Sequence, residues 1–253
     1  MLHLIASGNP FVTAYLQSDW FGKGIFWGLF ALSAVSWTLL IHKSWIYYHV
    51  RRLSKELSAQ FSEKDPLNLP YIPSAKASFA DVPHPFFEIY KALKQKTLQI
   101  IGRNHFFSPD PSTPVFLSEA DLGLIQTHAD MQLAAQAKRL EKNVYIISTV
   151  AALGPFLGLL GTVWGILLTF SELNSRGAMA SGNSAMLAGL SMALATTVIG
   201  LLIAIPALVG YNYFKNAARE YRREMEDFSH LLLTAVELQY RKPEDAQKIP
   251  TLQ

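Results

Sequence analysis

The chain contains no cysteine, and charged residues make up only 16% of its 253 residues. The missing cysteine excludes disulfide bonds and every metal site that depends on thiolate ligands. The charges are also unevenly distributed, because residues 144–170 and 186–214 contain no Asp, Glu, Lys, Arg or His. Uncharged segments of this length are too long for ordinary core helices, so the composition indicates a membrane protein.

Three uncharged segments are long enough to cross a bilayer as helices. The two longest would each extend roughly 40 Å at about 1.5 Å per residue, which exceeds a hydrocarbon core of about 30 Å. A shorter segment covers residues 24–41 and has no evident cleavage site after it, so we expect it to be a retained helix rather than a signal peptide. The sequence therefore predicts an all-α polytopic protein with transmembrane helices at 24–41, 144–170 and 186–214.

Basic residues cluster on one side of the three predicted spans. They follow the first span, precede the second and follow the third, whereas the N-terminal stretch has only Lys23 against Asp19. The positive-inside rule then places residues 1–23 and 171–185 outside, and residues 42–143 and 215–253 in the cytoplasm. No basic face interleaved with aromatic residues accompanies these clusters, so they indicate topology anchors rather than nucleic-acid binding.

The segments outside the spans are also predicted to be helical. Residues 9–21 are typical of a short interfacial helix with aromatic anchors, and the first span is expected to continue to about Leu57. Proline-rich breaks flank a predicted helix over residues 84–103. A cap at Ser118–Asp121 starts a further helix, which we expect to enter the second span without interruption. Apolar spacings of four and three predict a long helix after the third span, forming with the others a cytoplasmic helical stalk, before a polar tail.

Small residues form a row along each of the two long spans. In the second span, glycines recur at intervals of four, three and four, which places them within roughly 60° of arc on one helix face. Such rows predict close helix packing in lipid and by themselves say nothing about transport. Two prolines, Pro155 and Pro206, are expected to kink these helices. The predicted packing residues are Gly154, Gly158, Gly161 and Gly165 in the second span, and Gly189, Ala193, Gly200 and Ala204 in the third.

Hydroxyl side chains lie beside these rows. Ser148, Thr162 and Thr169 share one face of the second span, and Thr197 has a comparable position in the third. One interpretation is structural, with each hydroxyl bonded to the carbonyl four residues earlier in its own helix. The other is functional, with hydroxyls from several subunits lining a hydrated proton path. Because hydroxyls cannot carry protons as a carboxylate can, the second interpretation needs a carboxyl group from another chain.

No pattern typical of an enzyme is present. The seven histidines lie outside the uncharged spans and form no metal-binding pair such as HExxH. The sequence has no phosphate-binding loop and no nucleophile elbow. We therefore predict no catalytic activity and neither a metal nor an organic cofactor.

Two strings in the long spans closely resemble the TolQ/ExbB/MotA family of inner-membrane proton-channel subunits: GPFLGLLGTVWGI, from Gly154, and ALATTVIGLLIAIPALVGYNYF, from Ala193. The first span adds LSAVSWTLLIHK, from Leu32, which is similar to the family's Ser-Trp element. Three spans with a large first cytoplasmic loop resemble TolQ and ExbB more than the four-span flagellar stator subunit. Residues 44–117 match nothing recognisable.

The resemblance implies a homopentameric ring in the bacterial inner membrane, with its N-terminus in the periplasm. The ring would surround a pair of single-span TolR- or ExbD-like helices, each with a membrane aspartate that takes up and releases the proton. Proton flow would drive rotation and deliver work across the periplasm, through a TolA- or TonB-like protein. The family's two pore threonines match Thr162 and Thr197. The family commonly has a glutamate five residues before the second threonine, where this chain has Met192.

Several alternatives stay open at the level of sequence. The process that such a motor would drive could be envelope maintenance, as for TolQ, or receptor-driven import, as for ExbB. A passive membrane scaffold would use the same small-residue rows to assemble a ring without ion flow. A self-contained solute transporter is disfavoured, because the sequence has no internal repeat and no charged site at mid-membrane. An adjacent gene for a short single-span protein with a membrane aspartate would favour the motor over the scaffold.

Overall fold

The computed structural model describes residues 9–63, 85–106, 116–176 and 182–240, and the regular elements of this described part are all α-helices. Three long apolar stretches, in α2, α5 and α6 as bounded below, could each cross a membrane. The predicted all-α fold with three candidate spans is therefore confirmed. The helices are α1 (Pro10–Gln17), α2 (Trp20–Glu63), α3 (Pro85–Phe106), α4 (Glu119–Glu141), α5 (Val144–Arg176) and α6 (Gly182–Tyr240).

The structure separates α4 from α5 at Lys142 and Asn143. Asn143 has a φ of 67°, in the left-handed region that asparagine tolerates better than most residues. The uninterrupted helix predicted from Ser118 into the second span is therefore wrong, since asparagine can end a helix where neither glycine nor proline is present. The Gly154–Pro155 pair instead lies inside α5, which continues through it.

Other helix ends differ from the predictions by a few residues. α2 reaches Glu63 rather than Leu57. α3 covers Pro85–Phe106, whereas the helix was predicted over residues 84–103. α5 and α6 also extend into the predicted 171–185 loop, of which residues 177–181 lie outside the described part. Both proline-rich breaks and the polar tail after Tyr240 fall on residues that the structure does not describe.

The chain divides into two compact units. The apolar unit comprises Met1–Lys43 and Asn143–Lys215, and it therefore contains the three predicted spans. The charged unit comprises Ser44–Lys142 and Asn216–Gln253. Most of the charged residues of the sequence belong to this second unit.

Two polar side chains start the first helices of the apolar unit. The Asn9 side chain accepts a hydrogen bond from the Phe11 N–H at 3.0 Å, which caps α1. Asp19 caps α2 by accepting a hydrogen bond from the Gly22 N–H at 2.9 Å. The interfacial helix predicted over residues 9–21 is therefore shorter, because the chain leaves the helical conformation just before the second cap.

Large apolar side chains are exposed on the surface of the apolar unit. Phe156, Leu194 and Val209 are 67%, 62% and 65% exposed. Hydrating such surface costs roughly 25 cal/mol per Å², whereas lipid chains or another protein helix would cover it without that cost. Their location on helices of spanning length fits an integral membrane protein.

The charged unit buries an apolar stripe on the C-terminal part of α6. Tyr221 and Leu232 are 6% and 2% exposed. The Tyr221 ring packs on Tyr47 of α2 with ring centroids 5.8 Å apart, and Phe228 packs edge-on against Phe86 of α3 at 5.5 Å. This stripe therefore acts as core within the unit.

Asp121 of the charged unit joins the end of α3 to the start of α4. Its carboxylate accepts hydrogen bonds from the Asn104 amide at 3.0 Å and from the Ser118 N–H at 3.2 Å, and it pairs with Arg103 at 3.3 Å. The Asp121 N–H donates in turn to the Ser118 hydroxyl, which completes the predicted cap as a capping box. Burial alone would raise the pKa of Asp121, but these hydrogen bonds and the Arg103 charge outweigh it, so the pKa lies below its ordinary value of 3.8.

Candidate functional site

The small-residue rows of α5 and α6 face each other inside the apolar unit. A methyl group built on Gly154 would lie 2.9 Å from the Gly200 carbonyl oxygen, and one built on Gly165 would lie 2.5 Å from the Gly189 carbonyl oxygen. Such short distances to backbone atoms leave no space for a side chain. The facing sets are Gly154 with Gly200 and Ala204, Gly158 with Thr197, Gly161 with Thr196, and Gly165 with Gly189 and Ala193.

This contact joins two helices of the same chain. The contacts advance along α5 as they retreat along α6, so the two helices are antiparallel neighbours. Small residues let the two backbones approach, and dispersion with weak Cα–H···O contacts can then hold helices together in lipid. The rows predicted from the sequence are thus placed within one subunit, and they position the hydroxyl groups beside them.

Thr197 connects the two helices through its hydroxyl group. Its Oγ1 lies 3.2 Å from the Gly158 carbonyl oxygen of α5 and 3.3 Å from the Ala193 carbonyl oxygen of its own helix. A hydroxyl has one proton to donate, so these two acceptors compete for it. The neighbouring Thr196 is fully buried, and its hydroxyl lies 2.9 and 3.0 Å from the Met192 and Ala193 carbonyls of its own helix. The longer distances make Thr197 the more weakly bonded of the two adjacent hydroxyls.

The threonines of α5 bond within their own helix. Thr162 donates to the Leu159 carbonyl at 2.6 Å, and Thr169 donates to the Gly165 carbonyl at 2.8 Å. This is the structural arrangement that is common for threonine in membrane helices. Ser148 is half-buried and lies roughly 21 Å along the helix axis from Thr162. The proton-path role of Ser148, Thr162, Thr169 and Thr197 stays a prediction.

Pro155 and Pro206 lie inside α5 and α6, which continue through both positions. Each proline lacks an N–H, so the carbonyls of Ala151 and Leu202, four residues earlier, lose their usual helical donor. Such carbonyls can accept hydrogen bonds from water or from a partner in the membrane. The kinks expected at these prolines stay predictions.

Asp19 is a functional candidate that the sequence analysis treated only as part of the charge balance. Its two carboxylate oxygens accept hydrogen bonds from Trp164 Nε1 of α5, at 3.3 and 3.1 Å. The Trp164 ring also packs against Phe21, with ring centroids 4.4 Å apart. The half-buried Asp19 therefore brings a carboxylate to the second span, although that span has none of its own. The acid just before α2 was a readable capping signal, but nothing in the sequence pointed to its indole partner.

The described polar groups of the site are donors and acceptors of hydrogen bonds. Within residues 9–63, 85–106, 116–176 and 182–240, no three His, Asp or Glu side chains lie close enough together to hold a metal ion. Asp19 contributes a single carboxylate, whereas a hard cation usually requires several oxygen ligands. The remaining polar groups of the α5–α6 contact are threonine hydroxyls and backbone carbonyls.

Comparison with known proteins relates this geometry to a family. The family model of the MotA/TolQ/ExbB proton channel family matches residues 90–227, which is more than half of the chain and includes the whole α5–α6 contact. The chain belongs to this family. This match confirms the resemblance predicted from the sequence. The chain is a multi-pass inner-membrane subunit of the TolQ/ExbB type.

Relatives named TolQ and ExbB both match most of the chain. The chain is 27% identical to the Tol-Pal system protein TolQ of Haemophilus influenzae over 219 residues, which are 81% of this chain and 85% of that protein. It is also 27% identical to the biopolymer transport protein ExbB of Salmonella typhimurium over 246 residues, covering 94% and 92%. A shorter match to ExbB of Aquifex aeolicus, 45% identical over 83 residues, covers 33% of this chain and 55% of that protein. Equal identity to the two long relatives does not separate a TolQ from an ExbB role.

Proposed function

We propose that this chain is the proton-channel subunit of a TolQ–TolR- or ExbB–ExbD-type motor, which couples proton-motive force to work at the outer membrane. The observation that carries the proposal is the pair of charge-free segments 144–170 of α5 and 186–214 of α6, which the Thr197 hydroxyl connects at Gly158. A hydroxyl that forms only long hydrogen bonds to its two acceptors can rotate and bind a water molecule or a carboxyl group instead. Family membership over residues 90–227 supports a place for this pair in the proton path.

The proposal requires a second protein that carries a carboxylate in the membrane. Residues 144–170 and 186–214 contain no Asp, Glu or His, and threonine hydroxyls do not bind and release protons near neutral pH. We place a TolR- or ExbD-like single-span helix, with its membrane aspartate, against the exposed apolar surfaces of α5 and α6. A homopentameric ring of this chain would surround a pair of these helices. A TolA- or TonB-like protein would pass the work to the outer membrane.

A passive scaffold is the alternative, and one observation favours it. The Thr162 and Thr169 hydroxyls are satisfied by carbonyls of their own helix, as expected for threonines without a role in conduction. The scaffold and the motor therefore differ in whether the hydroxyl of Thr197 matters to proton flow. Both would assemble in the same way.

The decisive experiment is proton flux in liposomes that contain the chain, co-purified with a TolR- or ExbD-like single-span protein. Thr197→Val removes the hydroxyl and keeps a branched side chain, so we expect flux to fall by at least about tenfold, as for loss of a group that handles protons. The matched control is Thr149→Val in the same helix pair, since Thr149 is exposed and bonds only to Tyr145 of its own helix among the contacts described. Normal flux in Thr197→Val would remove Thr197 from the path. Absence of flux in the wild-type complex would favour the scaffold.

A further inference from the structure

The N-terminus of α2 carries a carboxylate that contacts α5 of the proposed proton path. Asp19 accepts hydrogen bonds from Trp164 of α5 through both oxygens, at 3.3 and 3.1 Å. Trp164 lies two residues after Thr162, in the same turn of α5. It also lies between Gly161 and Gly165, which face Thr196 and Ala193 of α6.

Met192 of α6 lies close to the same carboxylate. A methyl group built on Gly22 would lie 2.5 Å from the Met192 sulfur and 2.9 Å from Asp19 Oδ1, so both groups are near one point of the α2 backbone. Met192 is 1% exposed, so its side chain is buried. A carboxylate is thus present beside residue 192, although residue 192 itself is apolar.

The described hydrogen bonds leave acceptor sites of Asp19 open. An ionised carboxylate has about four lone-pair sites, and the donors described here are the Gly22 N–H and the Trp164 indole N–H. The Asp19 side chain is half-buried rather than enclosed. The charged groups nearest along the packed helices are Lys23, one turn further along α2, and Glu172, about two turns beyond Trp164 on α5. Neither α1 nor residues 186–214 of α6 contribute a charge.

We propose that Asp19 is a proton-binding residue of the path and supplies, from α2, the carboxylate that the α6 helix lacks at Met192. This inference rests on the proposed function. A hydronium ion gives its proton to a carboxylate oxygen of Asp19, which leaves water and the neutral carboxyl group. The same proton then passes to the membrane carboxylate of the single-span partner, which restores the Asp19 carboxylate.

A purely structural role for Asp19 makes a different prediction. Asn caps helices as well as Asp does, and its carbonyl oxygen can still accept the indole hydrogen bond. Asp19→Asn therefore keeps the cap and the contact with Trp164 while removing the proton-binding group. Trp164→Phe does the reverse, because it removes the indole donor and leaves the carboxylate in place.

The experiment compares proton flux of these variants in liposomes that hold the full chain with its single-span partner. We expect Asp19→Asn to lower flux by at least about tenfold, and Asp19→Glu and Trp164→Phe to keep it within about threefold of wild type. Asp19→Asn combined with Met192→Glu should recover flux, because a carboxylate returns to the same contact. Asp130→Asn is the matched control, since Asp130 is exposed in the charged unit.

The outcomes separate this proposal from the proposed function. A wild-type complex that conducts protons, together with an Asp19→Asn complex that conducts equally well, overturns the role of Asp19 alone. Equal losses in Asp19→Asn and Trp164→Phe, with no recovery from Met192→Glu, assign Asp19 a structural role and also overturn the proposal. A wild-type complex without flux overturns the proposed function itself.

Discussion

Polar side chains at helix starts organise much of the hydrogen bonding in this chain. Asn9, Asp19 and Ser118 each accept a hydrogen bond from an N–H two or three residues later. Two of these caps also bind side chains of other helices. Asp19 accepts a hydrogen bond from Trp164, and Asp121 of the Ser118 capping box accepts one from Asn104. A capping carboxylate can therefore also form a tertiary contact, because the N–H groups of its own helix do not occupy all of its acceptor sites.

The lowered pKa of Asp121 predicts acid-sensitive stability of the charged unit. Because the folded state holds the charged form more strongly than the unfolded state, Asp121 stabilises the fold above its ordinary pKa of 3.8. That contribution is lost as the pH falls through the lowered pKa of the folded state. Asp121→Asn should therefore destabilise by about 1 kcal/mol near pH 7 and progressively less in acid. Thermal unfolding followed by circular dichroism at several pH values would test this, with Asp130→Asn as the control.

The difference between local and distant partners explains which polar residues could be predicted. The Ser118–Asp121 cap was readable, because both of its residues lie within one helical turn. The Asp19–Trp164 contact joins residues that are 145 positions apart, and a single sequence contains no signal for that pairing. Thr197 was singled out as a candidate by its offset and by the family resemblance, but its bond to Gly158 required the structure.

The α5–α6 pair shows how an element can be specified by the absence of side chains. Glycine and alanine at helical spacing leave one smooth face on each helix, and the two faces meet along several turns. Each glycine in this contact lowers the intrinsic stability of its own helix by roughly 0.5–1 kcal/mol relative to alanine. Close approach of the helices offsets that loss only where the partner backbone fills the space.

Gly165→Ala should destabilise the apolar unit, because its methyl group would lie 2.5 Å from the Gly189 carbonyl oxygen and 2.9 Å from Ala193 Cβ. Overpacking of this kind costs about 1–3 kcal/mol, which corresponds to a melting temperature lower by roughly 2–10 °C in detergent. Gly24→Ala is the control, since no atom lies within 4 Å of its added methyl group. We expect that control to melt at the wild-type temperature or slightly above it. Equal melting of both variants would contradict the close packing of α5 on α6.

The helices themselves were predictable to the extent that periodicity determines them. Length, missing charge and small-residue spacing identified three spans and the packing faces of two. The break at Asn143 was missed, because it depends on one residue adopting a left-handed backbone conformation without glycine or proline. α5 also continues beyond the predicted span end at residue 170, and α6 begins before the predicted span start at residue 186, since the polar residues there are compatible with continued helix.

At the scale of the whole molecule, the distribution of basic residues predicts one orientation in the membrane. The chain has no cysteine, so a single introduced cysteine is a unique reporter. We expect Gln17→Cys to react with a membrane-impermeant maleimide in intact spheroplasts. Lys142→Cys and Glu237→Cys, which are also exposed sites, should react only after lysis. Labelling with the opposite pattern would reverse the predicted topology.

The unbroken length of α6 has a consequence for how this family can change in length during evolution. α6 carries its small face near Gly189 and its apolar stripe near Tyr221 on one continuous helix of 59 residues. Deleting one residue between them would rotate everything downstream by about 100°, so only changes close to whole turns, such as seven residues, would preserve both faces. Single-residue insertions and deletions among homologues should therefore be rare between Gly189 and Tyr221.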